Sequence, residues 1–172
     1  PAEPEKLLNE IGDVKIGHIL ITHNHQDHLL GFDEITSGVG VPVGIGTNDA
    51  SALPRPPELN LNDGDVIKFG NQEMQVLATP GHTDGAVCLL VGKHLFSGDT
   101  LFPGGPGKTR SPEALQQIIG SITSKLLTLP DDTAVYPGHG SDTTIGDARR
   151  EYQAFASRQH PSELSGDVTW ST

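Results

Sequence analysis

Four side chains able to hold a metal fall within six residues in the run Thr22-His23-Asn24-His25-Gln26-Asp27-His28, which has the form His-x-His-x-Asp-His. Imidazole nitrogen and carboxylate oxygen are donors that suit zinc, iron and manganese. The chain has only 8 His in 172 residues, so three in one short run mark a site rather than a solvated loop. Three further residues share one context, the end of an apolar strand-like stretch followed or preceded by glycine. His82 lies in Thr79-Pro80-Gly81-His82-Thr83-Asp84-Gly85, Asp99 in Phe96-Ser97-Gly98-Asp99-Thr100, and His139 in Tyr136-Pro137-Gly138-His139-Gly140. Strand ends beside glycines are where a rigid scaffold can present side chains to one pocket. Together the five His and two Asp suffice for two ions if one carboxylate is shared. Catalytic sites use about three protein ligands per metal and leave room for solvent.

The elements that must position these residues are short. Residues 4–11 read as an amphipathic helix that begins at Pro4 and stops at Gly12. Residues 16–22 are almost continuously apolar, which predicts a strand buried on both faces. A helix over 29–35 is broken by Gly38 and Gly40; a strand over 41–45 and a helical turn over 48–53 follow, ended by Pro54, Pro56 and Pro57. Strands are predicted over 59–61, 66–69 and 73–79, and a pair over 86–91 and 94–97 turns at Gly92-Lys93. The longest helical pattern is 112–127, with Ser111 as N-cap and Pro112 in the first position. A strand over 134–136, a helix over 147–157 and a polar tail with Trp170 complete the chain. This order predicts one mixed α/β domain, 1–172, with both parallel and antiparallel pairing.

Composition narrows the function classes. Hydrophobic content of 34% with 21 Gly and 13 Pro suggests short strands and loops. A net charge of −11 argues against nucleic acid or an anionic membrane as partner. The single cysteine, Cys88, excludes a disulfide framework and a cysteine-based zinc site, and reads as a small core hydrophobe. No apolar run approaches the ~18 residues of a membrane span, and no signal peptide is evident, so the expected compartment is the cytoplasm. Of the other candidates, His18 reads as a packing or hydrogen-bonding residue, His94 as a surface strand residue and His160 as part of the tail. Asp84 shapes the His82 turn or, alternatively, supports a ligand histidine.

The ordered set His-x-His-x-Asp-His, Gly-His-Thr-x-Gly, Ser-Gly-Asp-Thr-Leu-Phe and Pro-Gly-His-Gly resembles the metallo-β-lactamase superfamily, and within it the glyoxalase II-like (hydroxyacylglutathione hydrolase-like) proteins. The resemblance implies an αββα sandwich with the metal pocket at one edge of two sheets. It implies His23, His25 and His82 as ligands of one ion, Asp27, His28 and His139 as ligands of the second, and Asp99 as the bridge. Two zinc ions per chain are expected, with iron as an alternative. Ions ~3.5–4 Å apart can share a water and lower its pKa from 15.7 toward ~7, giving a hydroxide nucleophile without Ser or Cys. One ion then polarises the carbonyl of a small acyl substrate while the other favours a thiolate or alkoxide leaving group. Asp27 would add a role in orienting that hydroxide or taking up its proton.

The sequence departs from the pattern it resembles at two places. After the bridging Asp the segment is Leu101-Phe102-Pro103-Gly104-Gly105-Pro106-Gly107-Lys108-Thr109-Arg110, with Lys108 in the basic position expected to grip a substrate anion. Pro106 replaces a usual cysteine, and Arg110 falls where glutathione-binding members often have an aromatic residue. With 33 residues after His139, no room is expected for the helical C-terminal domain that in such proteins supplies further glutathione contacts. At the other end the sequence starts at about the first helix, so the several strands that normally precede it are expected to be missing and a sheet edge to be exposed. A fragment, or strands supplied by a partner in a homo-oligomer, would account for this. The expected function is hydrolysis of a thioester or ester. Alternatives are a persulfide dioxygenase with one iron on His25, His82 and Asp99, a lactonase or β-lactamase, or a non-catalytic metal-binding fragment.

Overall fold

In a computed structural model, which describes residues 3–170, the chain forms two facing sheets with helices on their outer sides. Residues 1, 2, 171 and 172 of the 1–172 span lie outside the described residues. Helix α1 (Pro4–Ile11) leads to strand β1 (Ile19–Ile21), the one-turn α2 (Gln26–Leu29), α3 (Phe32–Val39), β2 (Val43–Gly46) and a 3-10 turn over Thr47–Ala52. Strand β3 (Leu59–Leu61) completes the first sheet, in which β1, β2 and β3 run parallel in that order. Parallel neighbours need crossovers, which α2, α3 and the 3-10 turn provide.

The second sheet has six strands. Strands β4 (Val66–Phe69), β5 (Gln72–Ala78), β6 (Val87–Val91) and β7 (His94–Gly98) form an antiparallel meander. A small hairpin of β8 (Leu101–Phe102) and β9 (Gly105–Pro106) follows, then helix α4 (Pro112–Ser121), which runs on as a π-helical turn over Ile122–Leu126. Strand β10 (Ala134–Pro137) lies parallel to β7, β11 (Thr143–Thr144) caps the edge, and α5 (Ile145–Ala156) closes the layer. Both long helices start on the cap chemistry that helix N-termini require. The Ser111 hydroxyl accepts from Ala114 N, and the Thr144 hydroxyl accepts from Asp147 N.

Three apolar clusters hold the layers. Between the sheets pack Leu61, Val76, Val87 and Leu89. Outside the first sheet, Phe32 of α3 packs with Ile21, Val43 and Ile45. Outside the second, Ile118, Ile122 and Leu126 pack with Leu95, Val135, Ile145 and Trp170. The αββα sandwich expected from the resemblance is therefore the observed architecture. The predicted polar tail is corrected: Trp170 is fully buried against Tyr152 and Phe155, because Thr109 and Gly166 form a β-bridge that brings the tail over α5. The predicted helix over 29–35 is also corrected. Gly31 at φ +71 splits it into α2 and α3, a left-handed conformation that glycine adopts without steric penalty. Strand β1 forms one edge of its sheet, beside an open apolar groove of about 830 Å³ lined by α1, α3, Phe96 and Tyr136.

Candidate metal centre

Four chain segments deliver donors to one place, where the ends of β1, β5, β7 and β10 meet. His23 leaves β1 almost completely buried, with its Nδ1 3.1 Å from the Thr22 hydroxyl. His25 is the N-cap residue of α2, and Asp27 and His28 lie on its single turn. His82 follows β5, and its Nδ1 lies 2.8 Å from the Lys108 carbonyl oxygen. Since a carbonyl only accepts, Nδ1 must carry the proton, which leaves Nε2 as a lone-pair donor aimed at the site. Asp99 follows β7 on a loop held by buried hydroxyls: Thr100 meets Thr79 at 2.9 Å, and Ser97 donates to the Leu101 carbonyl at 2.8 Å. His139 follows β10, anchored by the Gly138 N–H donating to the Gly98 carbonyl at 2.9 Å.

The donors converge as three clusters, each with its atoms within 4.8 Å of one another: His23, His25 and His82; His23, His28 and Asp99; and Asp27, His28 and His139. Asp99 stands between the first and third. Its Oδ2 is 3.7 Å from His82 Nε2 and 3.6 Å from His139 Nε2, and its Oδ1 is 3.3 Å from His28 Nε2. The nitrogens His28 Nε2 and His139 Nε2 face each other at 3.2 Å, and His139 Nε2 is 2.9 Å from Asp27 Oδ2. All seven predicted ligand positions are thus brought together. His25, His82 and Asp99, the set expected for the single-iron alternative, do not form a cluster of their own among the described residues.

Electrostatics favour the donor forms. Burial first, then the neighbouring His28, lowers the pKa of His23 from 6.5 to about 3, so its imidazole is neutral. His25 is lowered by burial, His82 and the Arg110 guanidinium. Burial alone would raise Asp27 and Asp99, yet both are held below the usual carboxylate range. A backbone hydrogen bond, His28 and His139 outweigh burial at Asp27; a His28 hydrogen bond, His23 and His28 do so at Asp99. His23 Nε2 and His82 Nε2 are buried without a hydrogen-bond partner. Orphaned buried donors and acceptors are costly and need an explanation. A neutral His23 imidazole, carboxylates held ionised and two unpartnered ring nitrogens converging on one centre fit divalent cations.

The predicted substrate residues lie at the rim. Lys108 Nζ is exposed, 3.5 Å from Asp167, and borders a recess of about 310 Å³ between the loop 102–108, the tail 167–169, His82 and Asp99. Arg110 Nη2 is 3.5 Å from His25 Nε2. Asp84 is exposed, and its carbonyl accepts from Asn48 Nδ2, which leaves it the turn-shaping role. The support role falls to Asp49, which the sequence reading missed. Its carboxylate is buried and accepts from Asn24, Thr83 and Gly85. Its position directly after a strand end, in Gly46-Thr47-Asn48-Asp49, was the available signal, since it is the same context that marked His82, Asp99 and His139.

The sequence profile of the metallo-beta-lactamase superfamily matches residues 1–139, a span that includes all seven donors. The chain belongs to that superfamily. Among its relatives in the superfamily, hydroxyacylglutathione hydrolase GloC of Haemophilus influenzae is 32% identical over 86% of this chain and 81% of its own length. ETHE1 from Myxococcus xanthus is 31% identical, with a TM-score of 0.79 over 91% of this chain and 71% of its own. TTHA1623, solved in a di-iron-bound form, is 32% identical, with a TM-score of 0.71 over 87% of this chain and 84% of its own. The chain spans about half the length of two other relatives it matches, 51% of hydroxyacylglutathione hydrolase of Hydrogenovibrio crunogenus and 56% of probable hydroxyacylglutathione hydrolase glo2 of Schizosaccharomyces pombe. Among the described residues, no helix is long and apolar enough to cross a membrane.

Proposed function

We propose that this protein hydrolyses a thioester or ester of a small acid with two divalent ions, zinc by preference. His23, His25 and His82 would hold one ion, and Asp27, His28 and His139 the other, with Asp99 between them. The observation that carries the reading is the pair of three-donor clusters flanking Asp99, with buried donor atoms that nothing else satisfies. Two such ions supply Lewis acidity toward an acyl oxygen and lower the pKa of water. The di-iron form of TTHA1623 supports a site of this kind holding two ions, and GloC supports an acyl-thiol substrate.

The chain's own residues supply the rest. His23 stays neutral through the physiological range, so protons compete weakly for its donor nitrogen. Asp27, ionised and half-exposed, can accept a proton from attacking water at a carboxylate oxygen. Lys108 and Arg110 place two cations at the rim, where they would grip an anionic substrate group. Arg110 is the stronger anchor, because Lys108 is already shared with Asp167.

Elemental analysis beside a thioester-hydrolysis assay tests this reading. Two zinc per chain with turnover supports it, and an Asp99→Asn variant should lose most metal and most activity. Arg110→Ala should raise KM for an anionic thioester about 10-fold with kcat little changed. One iron per chain, oxygen uptake on a persulfide and no thioester cleavage would replace the hydrolase with the dioxygenase alternative.

A further inference from the structure

One buried charge near the centre is left without a role by the seven donors. Asp49 lies in the 3-10 turn after β2 and is 1% exposed. Its Oδ2 accepts from the Asn24 backbone N–H at 3.0 Å and the Thr83 hydroxyl at 2.6 Å. Its Oδ1 accepts from Asn24 Nδ2 at 3.1 Å and the Gly85 N–H at 2.9 Å. An ionised carboxylate has about four lone-pair sites, and here four donors fill them. Buried charge is tolerated only when hydrogen-bonded this fully.

The identity of those donors is the point. Asn24 separates His23 from His25, and Thr83 follows His82. One carboxylate therefore ties together the two loops that carry the first cluster, one leaving β1 of the first sheet and the other leaving β5 of the second. The contact is close: a Cβ on Gly85 would stand 2.6 Å from Asp49 Cγ, so the glycine is what lets the His82 loop reach the carboxylate. Among the described residues, the hydrogen bonds of Asp49 run to Asn24, Thr83 and Gly85 and none to Asp27, His28 or His139.

We infer that Asp49 is a positioning residue that sets the affinity of the His23–His25–His82 cluster for a divalent cation. It touches neither ion nor substrate and acts through Asn24 and Thr83. The inference rests on the metal-centre reading and adds an asymmetry to it: losing Asp49 should weaken one binding event and spare the other. An amide in its place turns an N–H toward two of the four donors, which shifts the loops by unpairing them.

Zinc and cobalt titrations of the full chain against a competing chromophoric chelator test it, with cobalt d–d spectra and chelator-treated unfolding curves recorded in parallel. His139→Ala identifies the event belonging to the second cluster. In Asp49→Asn, the other event should weaken about 10–100-fold, the range seen when residues that orient metal ligands are changed. The His139-dependent event should stay within threefold, and the cobalt spectrum of the first event should change. Thr83→Val removes one donor from an otherwise intact clamp and should weaken the same event several-fold. Equal weakening of both events, or neither changed in folded Asp49→Asn, overturns the inference. If Asp49→Asn does not fold, Thr83→Val decides alone, and unchanged zinc affinity there overturns it too. Wild-type chain that binds neither metal defeats the metal-centre reading first, a failure plainly different from an unchanged variant.

Discussion

Gly138→Ala adds one methyl group in the middle of the proposed centre. The new Cβ would lie 2.6 Å from His28 Cε1, and closer than that to Asp99 Oδ1. Ordinary carbon contacts sit near ~3.5 Å, so roughly 0.9 Å must be recovered by moving the His28 ring and the Asp99 carboxylate. Gly138 is not among the glycines with positive φ, so alanine fits the backbone and the perturbation is steric. Metal sites tolerate displacements of about 0.2 Å, and a ~1 Å misplacement of a catalytic group costs ~100-fold in rate. The expected result is metal binding weakened at least ~10-fold and turnover reduced ~100-fold. Stability of the metal-free chain should fall by only about 1–3 kcal/mol, the range for overpacking. Gly140→Ala is the control. Gly140 has φ +77 with nothing within 4 Å of a built Cβ, so alanine there strains the same loop without entering the centre. Chelator-competition titrations, a thioester assay and urea unfolding read all three quantities. Wild-type affinity and turnover in Gly138→Ala, or equal losses in Gly140→Ala, would refute the placement of Asp99 and His28.

Acid should destabilise the metal-free protein well above the carboxylate range. The folded-state pKa of His23 is about 3 against 6.5 unfolded, so below pH 6.5 the unfolded chain takes up a proton that the folded chain does not. His23 alone then removes about 2 kcal/mol between pH 7.5 and pH 5, and flat urea midpoints over that interval would contradict its burial as a neutral ring. Trp170→Ala should cost about 3–5 kcal/mol because the indole is fully buried, and a loss below ~1 kcal/mol would show that the tail does not pack as described. Burial pushes the Cys88 thiol up to about 11, so a thiol reagent at pH 7.5 should label it only as fast as the chain unfolds. Rapid labelling of the native protein would place Cys88 at the surface instead.

The donors were legible because their chemistry is local. Three histidines in one run, and a His or Asp beside glycine at each of three strand ends, need no tertiary information to be noticed. Long periodic elements were equally clear, as with the helix from Pro112, whose cap and first-turn proline are written side by side. What escaped depends on partners distant in sequence. Asp49 looks like any turn aspartate until Asn24 and Thr83, 25 and 34 residues away, close over it. The Lys108 backbone carbonyl that fixes the His82 tautomer has no side-chain signature at all. The two-residue strands β8 and β9 are too short for alternation to register, and Trp170 is read as core only once the bridge between Thr109 and Gly166 is known.

The same distant pairings explain why the centre stands where it does. Donors come from both sheets, so the strand ends must approach more closely than side chains normally allow. A Cβ on Gly46 would run into the Gly85 carbonyl, and one on Gly107 into the Asp99 carbonyl. Bare backbone at those points lets the first sheet meet the His82 loop, and the loop around Lys108 meet Asp99. Charge then holds what glycine admits. The Asp49 carboxylate draws in the two histidine loops of the first cluster, while Asp99 lies within 3.7 Å of a ring nitrogen from each of His28, His82 and His139. In the unfolded chain only the four donors of residues 23–28 are neighbours, and folding alone brings His82, Asp99 and His139 to them. An ion that binds them selects the folded arrangement of both sheets, so metal affinity and the packing of the sandwich are two readings of one geometry.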